Sequence, residues 1–372
     1  MQVIRPATNS YHRQRMIKKM NEAKDIPSFY YALSHLWGVT KEKRSFRRAL
    51  SHLWGVTKED RYSWNDISEY VIDEEGQPVK PVPMRPEKRD ALLALLKDHP
   101  DSYWWIDVLC ARVDTPLDIM GDIYGCCLEC IAMIDCDPSL ISKLHTKRNI
   151  KTLDEERVTG DLIEEFRQLV EEYPHFIDHI CTFVQSKWWQ RVWTWQEMAL
   201  PFEVRFMSET DTQRLPWDTI TMDDLINSSD NAERIDLLYF SDFNQLCQKT
   251  HNFRAWSSEI KQARNFNKRR FGKMDSLDFV NLIGSWRTSN RQCMDPADYV
   301  YGVLGMLQIK IPRLKNPYDV WERFLYELED FMKTTGLDDF GGGQTLRISI
   351  FAHHFDICEA ENMSDVYRKL LQ

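Results

Sequence analysis

The 372-residue sequence has no GxSxG elbow, no Walker loop, no HExxH helix and no dinucleotide-type GxGxxG. Those absences remove the most familiar signatures of hydrolase, nucleotide-phosphate, zinc-protease and dehydrogenase chemistry. Long apolar runs are missing too: none reaches the ~18 residues that cross a bilayer. The opening stretch MQVIRPATNSYHRQRMIKKMNEAKD carries no secretory apolar core. Its bases Arg13, Arg15, Lys18 and Lys19 suggest a targeting presequence, but Glu22 and Asp25 follow closely, and a solvated basic helix is the expected form. Basic charge is not in excess: 48 Lys and Arg stand against 57 Asp and Glu, a net −9. That balance argues against nucleic acid as the dedicated partner. The nine cysteines are odd in number and unevenly placed. With no leader, they point to a cytoplasmic protein with reduced thiols.

What is present is globular. Hydrophobic residues make up 43% and charged residues 28%, enough to build a sizeable core. IPSFYYALSHLW reads as a buried strand, EKRDALLALLKDH as an amphipathic helix, and SYWWIDVLC as a second buried strand. Between the first strand and that helix, DEEGQPVKPVPMRP (73–86) is a loop or short edge hairpin. LDIMGDIYGCCLECIAMID passes from helix to strand near Asp135, DEERVTGDLIEEFRQLVEEY is a charged helix, and FEVRFMS is strand-like. Strands alternating with helices predict an α/β layer structure with a mainly parallel sheet. Beyond about Asp218 the pattern is mostly helical, as in NPYDVWERFLYELEDFMKTTG. The expected division is a basic segment at 1–27, an α/β domain at 28–205 and a mostly helical region at 206–372.

Several suggestive patterns have plain explanations. Cys127 and Cys130 have zinc-type spacing, but adjacent Cys126 and Cys127 do not converge readily, and buried small apolar side chains are expected rather than a metal. His353 and His354 are adjacent and point apart, so they do not make a joint metal site. FGGGQT (340–345) reads as a loop and ARNFNKRRFGK (263–273) as a solvated charged face. Three stretches carry more. ALSHLWG puts Ser34, Trp37 and Gly38 at the end of a strand, where a parallel sheet opens its ligand crevice. WWIDVLC places Asp107 in a strongly apolar strand, where a carboxylate needs a partner, a loop to cap or a ligand to face. SKWWQRVWTWQEMALP gathers four tryptophans around Arg191 and Glu197, and taken alone it is an amphipathic helix with a solvent-facing ion pair.

In this order, ALSHLWG, WIDVLC and RVWTWQE resemble the three motifs of the fungal heterokaryon incompatibility (HET) domain, and RQCMDPADYVYGVLGM (291–306) is similar to the segment that often follows it. The sequence departs from that pattern after Cys110, where ARVD stands in place of the usual INQ, and TPLDIMGD replaces a Glu-Arg pair. The resemblance implies a TIR- or flavodoxin-like sheet and a role in self/non-self recognition or innate-immunity-type programmed cell death. TIR-like chemistry would make NAD a substrate rather than a cofactor. The spacing Trp193–Thr194–Trp195–Gln196–Glu197 matches the TIR W-x-x-x-E pattern. By that likeness Glu197 is the catalytic carboxylate, and Ser34, Trp37, Gly38, Asp107, Arg191 and Trp193 bind substrate, with tryptophan faces available to stack on nicotinamide or adenine. The alternative is a non-enzymatic module that signals by self-association or by docking on other death-signalling proteins.

The first motif is written twice. ALSHLWGVTKE spans 32–42 and returns at 49–59, and the expected unit of a tandem duplication is 32–48 against 49–65. The first copy follows FYY and extends an apolar strand, whereas Arg47 and Arg48 precede the second. The expectation is one site, formed by the first copy, with the second extruded from the sheet at small closure cost.

Overall fold

The computed structural model describes residues 2–3, 30–35, 70–73, 75–79, 86–111, 115–117, 119–145, 175–213, 215, 218–229, 255–264, 275–338 and 346–371. The strands are β1 (Gln2–Val3), β2 (Tyr30–His35), β3 (Ile72–Asp73), β4 (Tyr103–Ile106), β5 (Cys130–Ile134), β6 (Val204–Ser208) and β7 (Thr219–Thr221). They form one seven-stranded sheet in the order β3-β1-β4-β2-β5-β6-β7. Every pairing is parallel except β6 with β7.

The strands lack polar–apolar alternation because both sheet faces are covered. All five residues of β5 are buried, as are all of β2 except Tyr31. Of the four longest parallel strands, the second in the chain (β4) and the third (β5) lie on opposite sides of the first (β2), and β6 lies beyond β5. That is the winding of a flavodoxin-like sheet, and it opens a crevice between β2 and β5 at their C-terminal ends.

Helices α1 (Pro86–Asp98), α2 (Asp107–Cys110), α3 (Ile119–Gly125), α4 (Pro138–His145), α5 (Phe176–Val184) and α6 (Trp193–Ala199) belong to the sheet-forming part. Leu92, Leu93, Leu95 and Leu96 of α1 are buried, as its apolar stripe predicts. The sheet continues past residue 206, which falls inside β6, and ends at β7. A helical region follows: α7 (222–229), α8 (255–264), α9 (Ser276–Arg287), α10 (Asp298–Tyr301), α11 (Leu304–Leu307), α12 (Pro317–Thr335), α13 (Ile350–His353) and α14 (Met363–Tyr367). In α12, Asn316 accepts from the Tyr318 N–H at 3.2 Å, Pro317 opens the first turn, and Gly336 closes the helix at φ 72°.

Two expectations need correction. Asp107 does not lie within a strand: β4 ends at Ile106 and Asp107 begins α2. Gln2 and Val3, in the segment read as a solvated helix, are a strand paired with β3 and β4. The first copy of the duplication supplies residues 32–35 to β2. The second copy, the charged helix expected at 154–173 and the loop at 340–345 lie outside the described residues. Among the described residues no helix is long and apolar enough to cross a membrane.

Candidate functional site

Three sequence motifs meet at the C-terminal edge of the sheet. β2 delivers Ser34 and His35, and Ser34 sits in register with Ala132 of β5, beside the crevice. The end of β4 delivers Asp107, and α6 delivers Glu197. Asp135, at the end of β5, accepts the backbone N–H groups of Lys187 and Trp188, each at 3.3 Å. It thereby fixes the start of the short 3₁₀ segment Lys187–Gln190 that leads into α6. Thr194 locks the same turn from within, its hydroxyl lying 2.6 Å from the Trp188 carbonyl and 2.8 Å from that of Arg191.

Glu197 is 5% exposed. Ser34 donates its hydroxyl to Glu197 Oε2, and Trp188 donates its indole N–H to Ser34 Oγ at 2.7 Å. Burial pushes the Glu197 carboxyl up to about 7, and the nearby Asp107 adds to the rise. Arg191 and the hydroxyls of Ser34 and Tyr124 pull the other way. Tyr124 on α3 is fully buried and acts on Glu197 at longer range than a well-formed hydrogen bond. Glu197 is therefore a carboxyl poised to gain or lose its proton near neutrality, a condition suited to acid–base or charge-stabilising work.

On the other side, His35 Nε2 lies 3.1 Å from Asp107 Oδ1. Burial, and then Lys88, push the imidazole below its ordinary value, so His35 faces Asp107 as a neutral ring. Lys88 Nζ is itself buried 3.0 Å from Glu209 Oε2. Arg191 donates to the His35 carbonyl at 3.0 Å, tying the approach to α6 onto the end of β2.

These positions sort the expected site residues. Ser34, Glu197, Asp107 and Arg191 come together. Trp193, the first residue of α6, lies next to them. Trp37 and Gly38 lie outside the described residues. The tryptophan block is not a stacking platform as a whole: Trp188, Trp189 and Trp195 pack edge-on against Trp189, Trp256 and Trp286 in the core, and only Trp193 is half-buried. Nor are Arg191 and Glu197 a solvent-facing pair, since Glu197 is inside.

Residues 30–197, just under half of the chain, match the heterokaryon incompatibility protein (HET) family. This stretch is a HET domain. At the level of the family, that assigns it to heterokaryon incompatibility. No curated protein and no solved structure matches it.

The HET domain does not end its contacts at residue 197. Arg191 forms a parallel bridge with Gln292, Val192 N–H donates to the Gln292 carbonyl at 3.1 Å, and Gln292 N–H donates to the Gln190 carbonyl at 2.6 Å. The buried Arg291 donates to Thr194 Oγ1 at 2.8 Å and to Glu259 Oε1 at 2.8 Å. Arg264 donates to the carbonyls of Met198 and Phe202, each at 2.9 Å, and so holds the C-terminal end of α6. His35, Tyr124, Trp188 and Asp298 were not singled out from the sequence as site residues. All four stood inside quoted stretches, but nothing in the spacing gave their partners.

Among the described residues no three or more His, Cys, Asp or Glu side chains converge as metal ligands would. Cys127 and Cys130 are buried, with thiols pushed upward chiefly by burial.

Proposed function

We propose that the HET domain cleaves the nicotinamide–ribosyl bond of NAD, with Glu197 as the catalytic carboxyl, and that NAD loss drives programmed cell death after self/non-self recognition. The observation that carries this reading is the Ser34–Glu197 contact. It joins the first-strand motif to the W-x-x-x-E helix at the crevice of a parallel sheet, around a carboxyl that titrates near pH 7. In the reaction the C1′–N bond breaks and nicotinamide leaves with the electron pair. Water then adds its hydroxyl to C1′ and releases a proton. The sugar passes through an oxocarbenium-like state, which an ionised Glu197 stabilises more strongly in a desolvated site than in water. On this reading Asp107, at the same edge, orients a ribose hydroxyl, while Arg191 supplies the positive charge that favours ionised Glu197.

Purified protein incubated with NAD is expected to release nicotinamide, at a rate that rises as pH passes through about 7 and Glu197 ionises. Glu197→Gln should slow release by about 10²-fold or more. A Glu197→Gln protein that consumed NAD as fast as wild type would remove the assignment.

The burial of Glu197 and its existing hydroxyl partner favour a second reading, in which the carboxyl is structural and the domain signals by self-association. Light scattering on the purified chain separates the two. That reading requires assembly together with no nicotinamide release.

A further inference from the structure

Glu197 stands at one end of a series of hydrogen bonds, joined through Trp188, that begins outside the matched HET region. Arg291, 2% exposed, opens the RQCMDPADYVYGVLGM stretch and donates from Nε to Glu259 Oε1 at 2.8 Å. Its Nη1 donates to Thr194 Oγ1 at 2.8 Å and to the Arg191 carbonyl at 3.1 Å. The Thr194 hydroxyl lies 2.6 Å from the Trp188 carbonyl and 2.8 Å from that of Arg191. Asp135 accepts the backbone N–H of the same Trp188, so this residue is held on both sides of its Cα. Its indole N–H then donates to Ser34 Oγ at 2.7 Å, and Ser34 donates to Glu197 Oε2.

The chemistry of these groups gives the series one direction. Guanidinium and indole N–H groups only donate, and peptide carbonyls only accept. Thr194 therefore accepts from Arg291 and keeps its single proton for a carbonyl. Ser34 likewise accepts from Trp188 and keeps its single proton for Glu197. Thr194, Trp188 and Ser34 are all buried, so solvent does not compete for these bonds. The backbone around them is wedged as well: a Cβ on Gly302 would fall 2.5 Å from Val192 Cγ1, and one on Gly305 would fall 2.8 Å from Gln196 Oε1.

We propose that Arg291 is a positioning residue for Glu197: through Thr194 and Trp188 it aims the Ser34 hydroxyl at the carboxyl, so that a cation of the helical region tunes a site in the HET domain. The catalytic meaning rests on Glu197 being the working group, as argued above. The relay itself is a property of the folded protein and is testable without substrate. A hydroxyl donated to a carboxylate favours the ionised form, and Ser34 pulls Glu197 downward in this way. The other groups facing Glu197 are Asp107 at the start of α2, Arg191 ahead of α6, Tyr124 on α3 and Cys130 on β5. None of them is replaced in the variants below.

The experiment is a carboxyl ¹³C titration of glutamate-labelled full-length protein, with the Glu197 resonance identified by its loss in Glu197→Gln. Ser34→Ala is expected to raise the Glu197 midpoint by roughly one pH unit, because a hydrogen bond to a charged group is lost. Arg291→Lys keeps a cation beside Glu259 but not the fork that also bonds Thr194, and should raise the midpoint by roughly half as much. Thr194→Val should act in the same direction, and Thr194→Ser, which keeps the hydroxyl, should return the wild-type midpoint. In a Ser34→Ala background, neither Arg291→Lys nor Thr194→Val should move the midpoint further. Arg264→Lys is the control: it loosens the C-terminal end of α6 without touching the relay, and should leave the midpoint in place. An unchanged midpoint in folded Arg291→Lys overturns the proposal, and so does an equal shift in the Ser34→Ala background or a like shift in Arg264→Lys. If Arg291→Lys fails to fold, the Thr194 pair decides: a shift in Thr194→Val but not in Thr194→Ser supports the relay, and a shift in neither or in both overturns it. Nicotinamide release plays no part in this readout. A protein that leaves NAD intact would defeat the proposed function while the titration still judged Arg291.

Discussion

At the scale of single residues, Glu197 makes folding depend on pH in a direction opposite to that of an ordinary salt-bridged carboxylate. Its value rises from 4.5 to about 7 on folding. The folded chain therefore keeps a proton that the unfolded chain releases, and this contribution is complete below about pH 4.5 and lost as pH climbs through 7. The full swing is on the order of 3 kcal/mol. Glu197→Gln cannot titrate and still accepts from Ser34, so it should lose less stability than wild type between pH 5 and 8, by about 2–3 kcal/mol. Asp298 has the same sign and keeps a slope in both proteins, so the difference between their profiles isolates Glu197. Denaturant unfolding at the two pH values measures it, and parallel profiles would contradict the buried-carboxyl account. The sequence disclosed Ser34 and Asp107 because each is a polar residue where an apolar run demands a reason, and Glu197 through the W-x-x-x-E likeness. It hid His35 and Tyr124, whose only signal is a distant partner: Asp107 for the first and Glu197 for the second.

At the scale of elements, the parallel strands were legible because residues buried on both faces leave continuous apolar runs. The end of β4 was not. WWIDVLC is one apolar run, but a short run cannot distinguish a strand from a buried helical turn, and the chain changes from one to the other at Asp107. The glycines of α9 and α11 were equally mute, since a glycine's letter does not say whether its missing side chain matters. The geometry does. At Gly305 a Cβ would meet the Gly121 Cα at 2.5 Å, and that backbone atom cannot rotate away. Within α9, a Cβ on Gly284 meets only Gln262 Oε1 at an ordinary 3.5 Å. Gly305→Ala should therefore destabilise the protein by roughly 1–3 kcal/mol or more. Gly284→Ala should stabilise it by up to about 1 kcal/mol, because alanine is the better helix former. Melting curves of the two variants test the pair, and a neutral Gly305→Ala would mean that α3 and α11 are not in backbone contact.

At the scale of the whole molecule, the matched region ends at residue 197, yet the contacts that keep α6 in place come from further along the chain. Trp189 packs edge-on to Trp256 at 5.0 Å and Trp195 to Trp286 at 5.7 Å. Arg264 holds the last carbonyls of α6, and Arg291 bonds Thr194 near its start. A chain ending at residue 229 would keep all seven strands and lose every one of these partners. Exposing a large buried side chain costs about 1.5–3 kcal/mol. Two tryptophan faces and the cut hydrogen bonds together approach the roughly 5–15 kcal/mol by which a typical protein is stable. The 1–229 piece is therefore expected to lack the cooperative thermal transition and near-ultraviolet tryptophan dichroism of the full chain. Adding the separately expressed C-terminal piece should restore some of that dichroism if α6 is held by contacts rather than by its own sequence. A 1–229 protein that melted as sharply and as high as the full chain would show instead that the HET domain is self-sufficient. The site at Glu197 would then need no support from Arg264, Arg291 or the glycines that close over it.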